Sequence, residues 1–256
     1  MYGENTMNRY DRIIQLLKTN GYLNVSDLCS LLNVSPATIR RDLTMLEQKA
    51  MLKRVSGGAI LMQTSVQDFK DPLDRLIEEK KKIAKQAITY VEPGMTIFID
   101  SGTTNNEIAK LLLDVRNVFV ITNSIHIAYL LYSNKRGNSV FVCGGNIGEG
   151  GEASIVGTMA EMAISHFRAN LFFMGATSID LNYGITDPYI PAANIKKKMM
   201  ENSSSTVLVA DHTKFGTISK AFVTDIRNIS RIITDQALPE TQLYPFQKAG
   251  VGIDLV

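Results

Sequence analysis

The run Ser35-Pro36-Ala37-Thr38-Ile39-Arg40-Arg41-Asp42-Leu43 reads as a short helix with a polar cap, an apolar underside and an arginine-bearing outer face. Ser35 is an N-cap residue type, and the fixed φ of Pro36 suits the first helical position. At roughly 100° per residue, Ile39, Leu43 and Leu46 fall within one arc and face a core. The opposite side carries Ala37, Arg41, Thr44 and Gln48, flanked by Thr38, Arg40 and Met45. Small, hydroxyl, amide and guanidinium side chains read base edges and phosphates. By itself the pattern also fits an ordinary surface helix with two solvated arginines.

The flanking segments separate these readings. Arg9 to Thr19 places Ile13, Leu16 and Leu17 on one helical stripe, and Asn20-Gly21 supplies a stop. Asn24-Val25-Ser26-Asp27-Leu28 opens a second short helix through Cys29, Leu31 and Leu32, and Asn33-Val34 turns the chain into Ser35. Helix, short helix, tight turn and polar-faced helix form the helix-turn-helix plan, whose last helix enters the major groove. Leu52-Lys53-Arg54-Val55, followed by Ser56-Gly57-Gly58-Ala59, reads as a basic strand and glycine turn, the wing of a winged helix. The residues expected to meet DNA are Ser35, Ala37, Thr38, Arg40, Arg41, Thr44, Lys53 and Arg54.

Composition agrees with this division. The 256 residues are 45% hydrophobic and 20% charged, which suits one small and one medium domain. Residues 1–62 hold eight Lys/Arg against five Asp/Glu, and the remainder nineteen against twenty. A basic head on a near-neutral body fits one domain that touches nucleic acid and another that does not. Cys29 and Cys143 lie far apart and fit no metal spacing, so both read as reduced core residues. His126, His166 and His212 form no ligand pattern. With no signal peptide and no apolar run near the ~20 residues that span a bilayer, a cytoplasmic protein without a membrane partner is expected.

Leu61 to Arg75 lacks periodicity and reads as a linker. A helix from Glu78 to Tyr90 follows, with Ile83, Ala87 and Ile88 inward and Lys80-Lys81-Lys82 outward. Then apolar runs at Thr96–Asp100, Val118–Thr122, Val140–Cys143, Asn170–Met174, Thr206–Asp211 and Arg231–Thr234 read as buried strands. Helical stretches at Asn105–Leu113, Ile125–Tyr132, Ser154–Phe167 and Ala193–Glu201 lie between several of them. This alternation predicts an α/β domain with a mainly parallel sheet, whose ligands bind beyond the carboxyl ends of the strands. Four such ends are chemically rich. They are Ser101-Gly102-Thr103-Thr104, Thr122-Asn123-Ser124, the glycine-rich stretch beginning Gly144-Gly145, and Asp211-His212-Thr213-Lys214. Hydroxyls, a glycine and helix N–H groups at the first of these make a phosphate cradle. Helix capping or turn formation also explains each one singly, but four on one predicted edge point to an anion-binding pocket.

The amino-terminal run Val34–Leu43, with Leu46-Glu47, Arg54 and Gly57-Gly58-Ala59, resembles the DNA-binding domain of DeoR-family bacterial transcription regulators. Asp100-Ser101-Gly102-Thr103-Thr104, Thr122-Asn123-Ser124, Gly144-Gly145, Lys196 with Met199, and Ala210–Gly216 follow in the order seen in the sensor domains of that family. The resemblance implies a winged helix-turn-helix over 1–60, a linker over 61–76, and an effector-sensing α/β domain over 77–256. It also implies that the second domain is similar to sugar-phosphate isomerases and deaminases. By that resemblance Ser101, Gly102, Thr103 and Thr104 hold a phosphate. Asp100, Asn123, Ser124, Gly144, Gly145, Lys196, Asp211 and Lys214 complete an effector site for a phosphorylated sugar.

Three positions depart from the family pattern. Ala50 stands for a usual Gly, Ser56 for His, and Ala192 for a frequent Glu ahead of Lys196. The implied function is a DNA-binding regulator, a repressor of a sugar-catabolism operon, that acts as a homo-oligomer (dimer or tetramer) on a double-stranded operator. No cofactor, metal or catalytic residue is implied. The alternative is a sugar-phosphate isomerase or deaminase with an accessory DNA-binding head. Related isomerases carry acids after the strand that here leads into Gly175-Ala176-Thr177-Ser178-Ile179-Asp180. Thr177 occupies the acid's place, which favours binding without turnover.

Overall fold

In the computed structural model, helices α1 (Arg9–Asn20), α2 (Val25–Leu32) and α3 (Pro36–Gln48) close around Ile13, Leu17, Leu28, Ile39, Leu43 and Leu46, all buried. The structure describes residues 9–20, 22–48, 51–55, 57–61, 76–133, 137–148 and 154–256. They fall into two compact units, Met1–Asp68 and Phe69–Val256. The α2 start is set by Asn24, whose side chain accepts the Asp27 N–H, and its end by Asn33 in the left-handed region at φ 53°. Asn tolerates that region better than most residues. The Ser35 hydroxyl accepts the Thr38 N–H at 3.3 Å, which bears out the cap expected of α3.

A short strand that the sequence reading missed, β1 (Tyr22–Asn24), joins the wing. It pairs with β3 (Gly58–Leu61), which also pairs with β2 (Leu52–Val55), in the order β1-β3-β2. Three residues directly after a helix stop carry too little periodicity to be read as a strand. The last residue of β3, Leu61, is one that the sequence reading places in the linker. Residues 62–75 lie outside the described residues, as do Ala50 and Ser56, where the family pattern is broken.

In the second unit α4 (Ile77–Ala87) gives way to a single 3-10 turn at Ile88–Tyr90, so the α-helix is shorter than expected. The expected outward lysine run is corrected at one position. Lys81 and Lys82 are exposed but Lys80 is buried, because it lies three residues before Ile83 on the inward stripe of α4. Next come β4 (Thr96–Ile99), α5 (Thr103–Leu112), β5 (Phe119–Thr122), α6 (Ile125–Ser133), β6 (Ser139–Val142) and the hairpin strands β7 (Asn146–Ile147) and β8 (Ile155–Val156). Helix α7 (Thr158–Ser165) follows. The helix expected from Ser154 therefore begins four residues later, since 154–156 pair instead with Asn146, Ile147 and Ser124. The chain continues through β9 (Ala169–Gly175), β10 (Ser178–Asp180), β11 (Gly184–Asp187), α8 (Ile190–Glu201), β12 (Ser203–Val209), β13 (Ala221–Thr224), β14 (Arg231–Thr234), α9 (Glu240–Lys248) and β15 (Ile253–Leu255).

The main sheet has the order β15-β14-β12-β9-β4-β5-β6, with each neighbouring pair parallel. The chain enters at β4, builds outward to β6, then returns beside β4 with β9 and builds the other way. That is a doubly wound sheet with its switch point between β4 and β9, where such folds open a crevice. Side chains alternate between two cores. Ile97, Ile99, Leu171 and Phe173 pack on one face, while Phe98, Phe172 and Met174 pack on the other. The Phe98 and Phe172 rings meet edge to face at 6.4 Å. A second sheet, β10-β11-β13, is antiparallel and buries Ile179, Ile185, Ala221 and Val223 in the core that holds Phe98 and Phe172.

Cys143 is buried, and that burial pushes its thiol up to about 11. Cys29 is partly exposed. In the native chain, a thiol reagent at neutral pH is expected to modify Cys29 much faster than Cys143. Equal rates measured by mass spectrometry would contradict this assignment.

Candidate functional site

The first unit presents the outer face of α3. Ala37, Arg40 and Arg41 are exposed, as is the Ser35 cap, while Thr38 and Thr44 are half-buried. The Thr44 hydroxyl donates to the Arg40 carbonyl and accepts from Arg54 Nη1, both at 2.9 Å. Arg54 also donates its backbone N–H to Glu47 Oε1 at 2.8 Å. The wing is thereby tied to the C-terminal half of α3, and Thr44 and Arg54 hold each other. Arg40 and Arg41 carry the charge at the exposed centre of the face. The Lys53 side chain lies outside the described residues. The middle of α3 is held by Arg9, whose guanidinium makes a two-pronged contact with the buried Asp42 at 2.6 and 3.0 Å.

The second unit has a cavity of about 270 Å³ at the switch point. Its walls include Ser101–Asn105 after β4, Gly175–Thr177 after β9, Asp187–Tyr189 after β11, Ala192 and Lys196 of α8, and Val209–Asp211 with Lys214 after β12. Of the residues expected to hold an effector, Ser101, Gly102, Thr103, Thr104, Lys196, Asp211 and Lys214 line it. Gly102 occupies the N-cap of α5 at φ 138°, a conformation that favours glycine, and no side chain caps this helix. A cap residue without a side chain leaves the first N–H groups of α5 to a ligand.

Asp100 and Asn123 stand behind this wall. Asn123 Oδ1 accepts the Ser101 N–H at 3.1 Å and its Nδ2 donates to the Ile155 carbonyl, which holds the β4–α5 turn. Asp100 Oδ1 also accepts the Ser101 N–H, while Oδ2 lies 2.5 Å from Lys196 Nζ. Burial pushes the Asp100 carboxyl above the usual carboxylate range, and Lys196 only partly offsets it. Asp187, missed by the sequence reading, brings Oδ2 within 3.5 Å of the same ammonium. Its Oδ1 accepts the Tyr189 N–H. The signal was a polar residue ending a four-residue strand, but Gly184-Ile185-Thr186-Asp187 holds a single large apolar residue and does not read as an apolar run. Asn105 was also missed. It is fully buried on the cavity wall, donating Nδ2 to the Phe173 carbonyl, while its Oδ1 has no partner among the described residues.

Ser124, Gly144 and Gly145 do not line the cavity. Ser124 accepts the Ile127 N–H and caps α6. Gly145 sits at φ 153°, where a Cβ would come within 2.7 Å of the Val156 carbonyl, so the closeness of β8 accounts for this glycine. Asp180 accepts two backbone N–H groups in its own turn and likewise lies off the cavity wall. Thr177 does line it. Among the described residues, no group of three His, Cys, Asp or Glu could hold a metal, and no helix is long and apolar enough to cross a membrane.

Comparison with known proteins covers both units. Residues 9–65 match the DeoR-like helix-turn-helix domain, and residues 75–236 the DeoR C-terminal sensor domain. The HTH-type transcriptional regulator GolR of Listeria innocua is 34% identical, over 96% of this chain and 97% of its own. The glycerol-3-phosphate regulon repressor of Escherichia coli is 32% identical, over 90% and 91%. Among solved structures, ribose 5-phosphate isomerase A from Methanocaldococcus jannaschii is 17% identical with a TM-score of 0.41, covering 55% of each chain. With both domains matched in order and relatives alike over nearly their full length, the chain belongs to the DeoR family of DNA-binding transcriptional regulators.

Proposed function

We propose that this regulator represses an operon of sugar catabolism and is released from its operator by a phosphorylated sugar bound in the switch-point cavity. The observation that carries the effector class is the uncapped start of α5 beside the hydroxyls of Ser101, Thr103 and Thr104. This is a cradle for a phosphate dianion. Lys196, Asp187, Asp211 and Lys214 face the sugar end, where carboxylates accept from hydroxyls and ammonium groups donate. Ala192 lines the wall where the family often has Glu, which leaves room and removes a charge. Ser35, Ala37, Thr38, Arg40, Arg41, Thr44, Lys53 and Arg54 form the DNA face. The protein works in the cytoplasm as a homo-oligomer, because helix-turn-helix readers dock in pairs on spaced half-sites. It does so without turning the sugar over. Relatives named as repressors, one of them of a glycerol-3-phosphate regulon, support this reading.

The test is a melting-temperature screen with pentose phosphates, hexose phosphates and glycerol 3-phosphate. A ligand at a hundred times its Kd stabilises the folded state by about 2.7 kcal/mol. Replacing Thr103 and Thr104 together by Val removes two hydroxyls at nearly constant volume. The double variant is expected to keep its operator affinity and lose the thermal shift. An undiminished shift would place the phosphate elsewhere, and conversion of any of these sugars would restore the enzyme alternative.

A further inference from the structure

Helix α6, Ile125-His126-Ile127-Ala128-Tyr129-Leu130-Leu131-Tyr132-Ser133, has no cold side. Ile127 and Leu131 are buried against the domain. On the opposite face Ile125, Tyr129 and Tyr132, spaced i, i+4, i+7, are 39%, 71% and 65% exposed. His126 and Ser133 are its exposed polar residues, and a helix apolar on two opposite faces belongs in an interior. It packs over β5 and β6, and β6 is an outer strand of the main sheet. Edge strands of monomers are usually blunted by charge, proline or a bulge. The β6 sequence Ser139-Val140-Phe141-Val142 contains neither charge nor proline, and Val142 is 44% exposed.

We propose that α6 and the β6 edge form a two-fold surface on which a second copy of this chain docks. A two-fold axis perpendicular to the sheet pairs β6 antiparallel with its copy and sets the two α6 helices side by side on the same face. The edge backbone is complementary to itself in that arrangement. A two-fold contact lays each patch against its own image, so any net charge would repel itself. Neither α6 nor β6 carries an Asp, Glu, Lys or Arg. Other exposed apolar side chains of this unit stand close to charges. Lys197 Nζ stands 5.8 Å from the Phe222 ring centre, and Glu161 lies between the exposed Met159 and Met162 of α7. At ~100 Å² for each exposed large side chain, the α6 and β6 residues supply an apolar centre for the ~800 Å² that each partner of a standard interface contributes.

Sedimentation velocity on the full chain, without DNA or ligand, tests the surface independently of the effector and operator readings. The wild type is expected to sediment as a dimer or a multiple of one. Tyr129→Lys and Tyr132→Lys are each expected to halve that mass while retaining the circular dichroism of the folded chain. Phe222→Lys and Tyr129→Phe are expected to leave the mass unchanged. A monomeric wild type, an α6 variant of unchanged mass, or dissociation caused by Phe222→Lys would each overturn the assignment.

Discussion

Replacing Lys196 by Met is expected to lower the stability of the second unit by about 3–5 kcal/mol, the loss usual when one partner of a buried ion pair is removed. Lys196 Nζ stands 2.5 Å from Asp100 and 3.5 Å from Asp187, and all three residues are buried. Without the ammonium, two carboxyls face each other in a poorly solvated space. The pH dependence carries the diagnosis. Burial raises the Asp100 carboxyl above its usual range, with Lys196 opposing that rise. Between the unfolded and folded values the folded state binds more protons, and stability therefore falls as pH rises through that window. Removing Lys196 removes the opposing pull and extends the window upward. The deficit of the variant, followed by urea unfolding, is expected to be largest at neutral pH and to shrink in mild acid. A deficit independent of pH would mean that Lys196 contributes packing rather than charge.

Replacing Arg41 by Ala is expected to weaken operator binding by about 1–3 kcal/mol if the guanidinium reads a base. If it meets only phosphate, the slope of log affinity against log salt falls by about one. Arg41 is exposed, so the melting temperature should not move, and the loss belongs to the interface. Arg9 offers the contrast. Arg9→Ala strips the partner from buried Asp42 and is expected to lose DNA binding through a loosened α1–α3 contact, visible as a lower melting temperature. Operator fragments selected from the genome serve as probe. Undiminished affinity of Arg41→Ala at all salt concentrations would move the reading face off the centre of α3.

The parts legible in the sequence are those whose signal repeats within a few residues. Ile39, Leu43 and Leu46 recur at helical spacing, and all are buried. The six apolar runs became the inner strands and one edge of a parallel sheet, because strands covered on both faces are rich in apolar residues. Asp187 and β1 were not legible. Asp187 ends a strand with one large apolar residue and β1 is three residues long, and their positions depend on pairing with Thr224, Phe222 and Ala221, or with Gly58 to Ile60. The burial of Lys80 was hidden by its neighbours, since three lysines in a row look like solvent wherever the helix turns them. Gly145 differs in the opposite direction, since it lies off the cavity wall. A glycine needed for close passage of β8 looks, in one dimension, like a glycine that admits a ligand. The order 100, 123, 196, 211 and 214 was visible, but the distances that join Asp100, Asp187 and Lys196 are tertiary.

The switch point gives the cavity a mechanical property. Its wall is drawn from the two oppositely wound halves of the sheet, Ser101 to Asn105 from one and Gly175 to Lys214 from the other. A molecule held there acts as a removable rivet between halves whose strands meet at the β4–β9 seam. Riveting reduces the relative play of the halves even where no atom moves far, and a site elsewhere can sense lost freedom as readily as displacement. On the proposed effector site, binding is expected to deliver stiffness, measured as slowed amide exchange along β4 and β9.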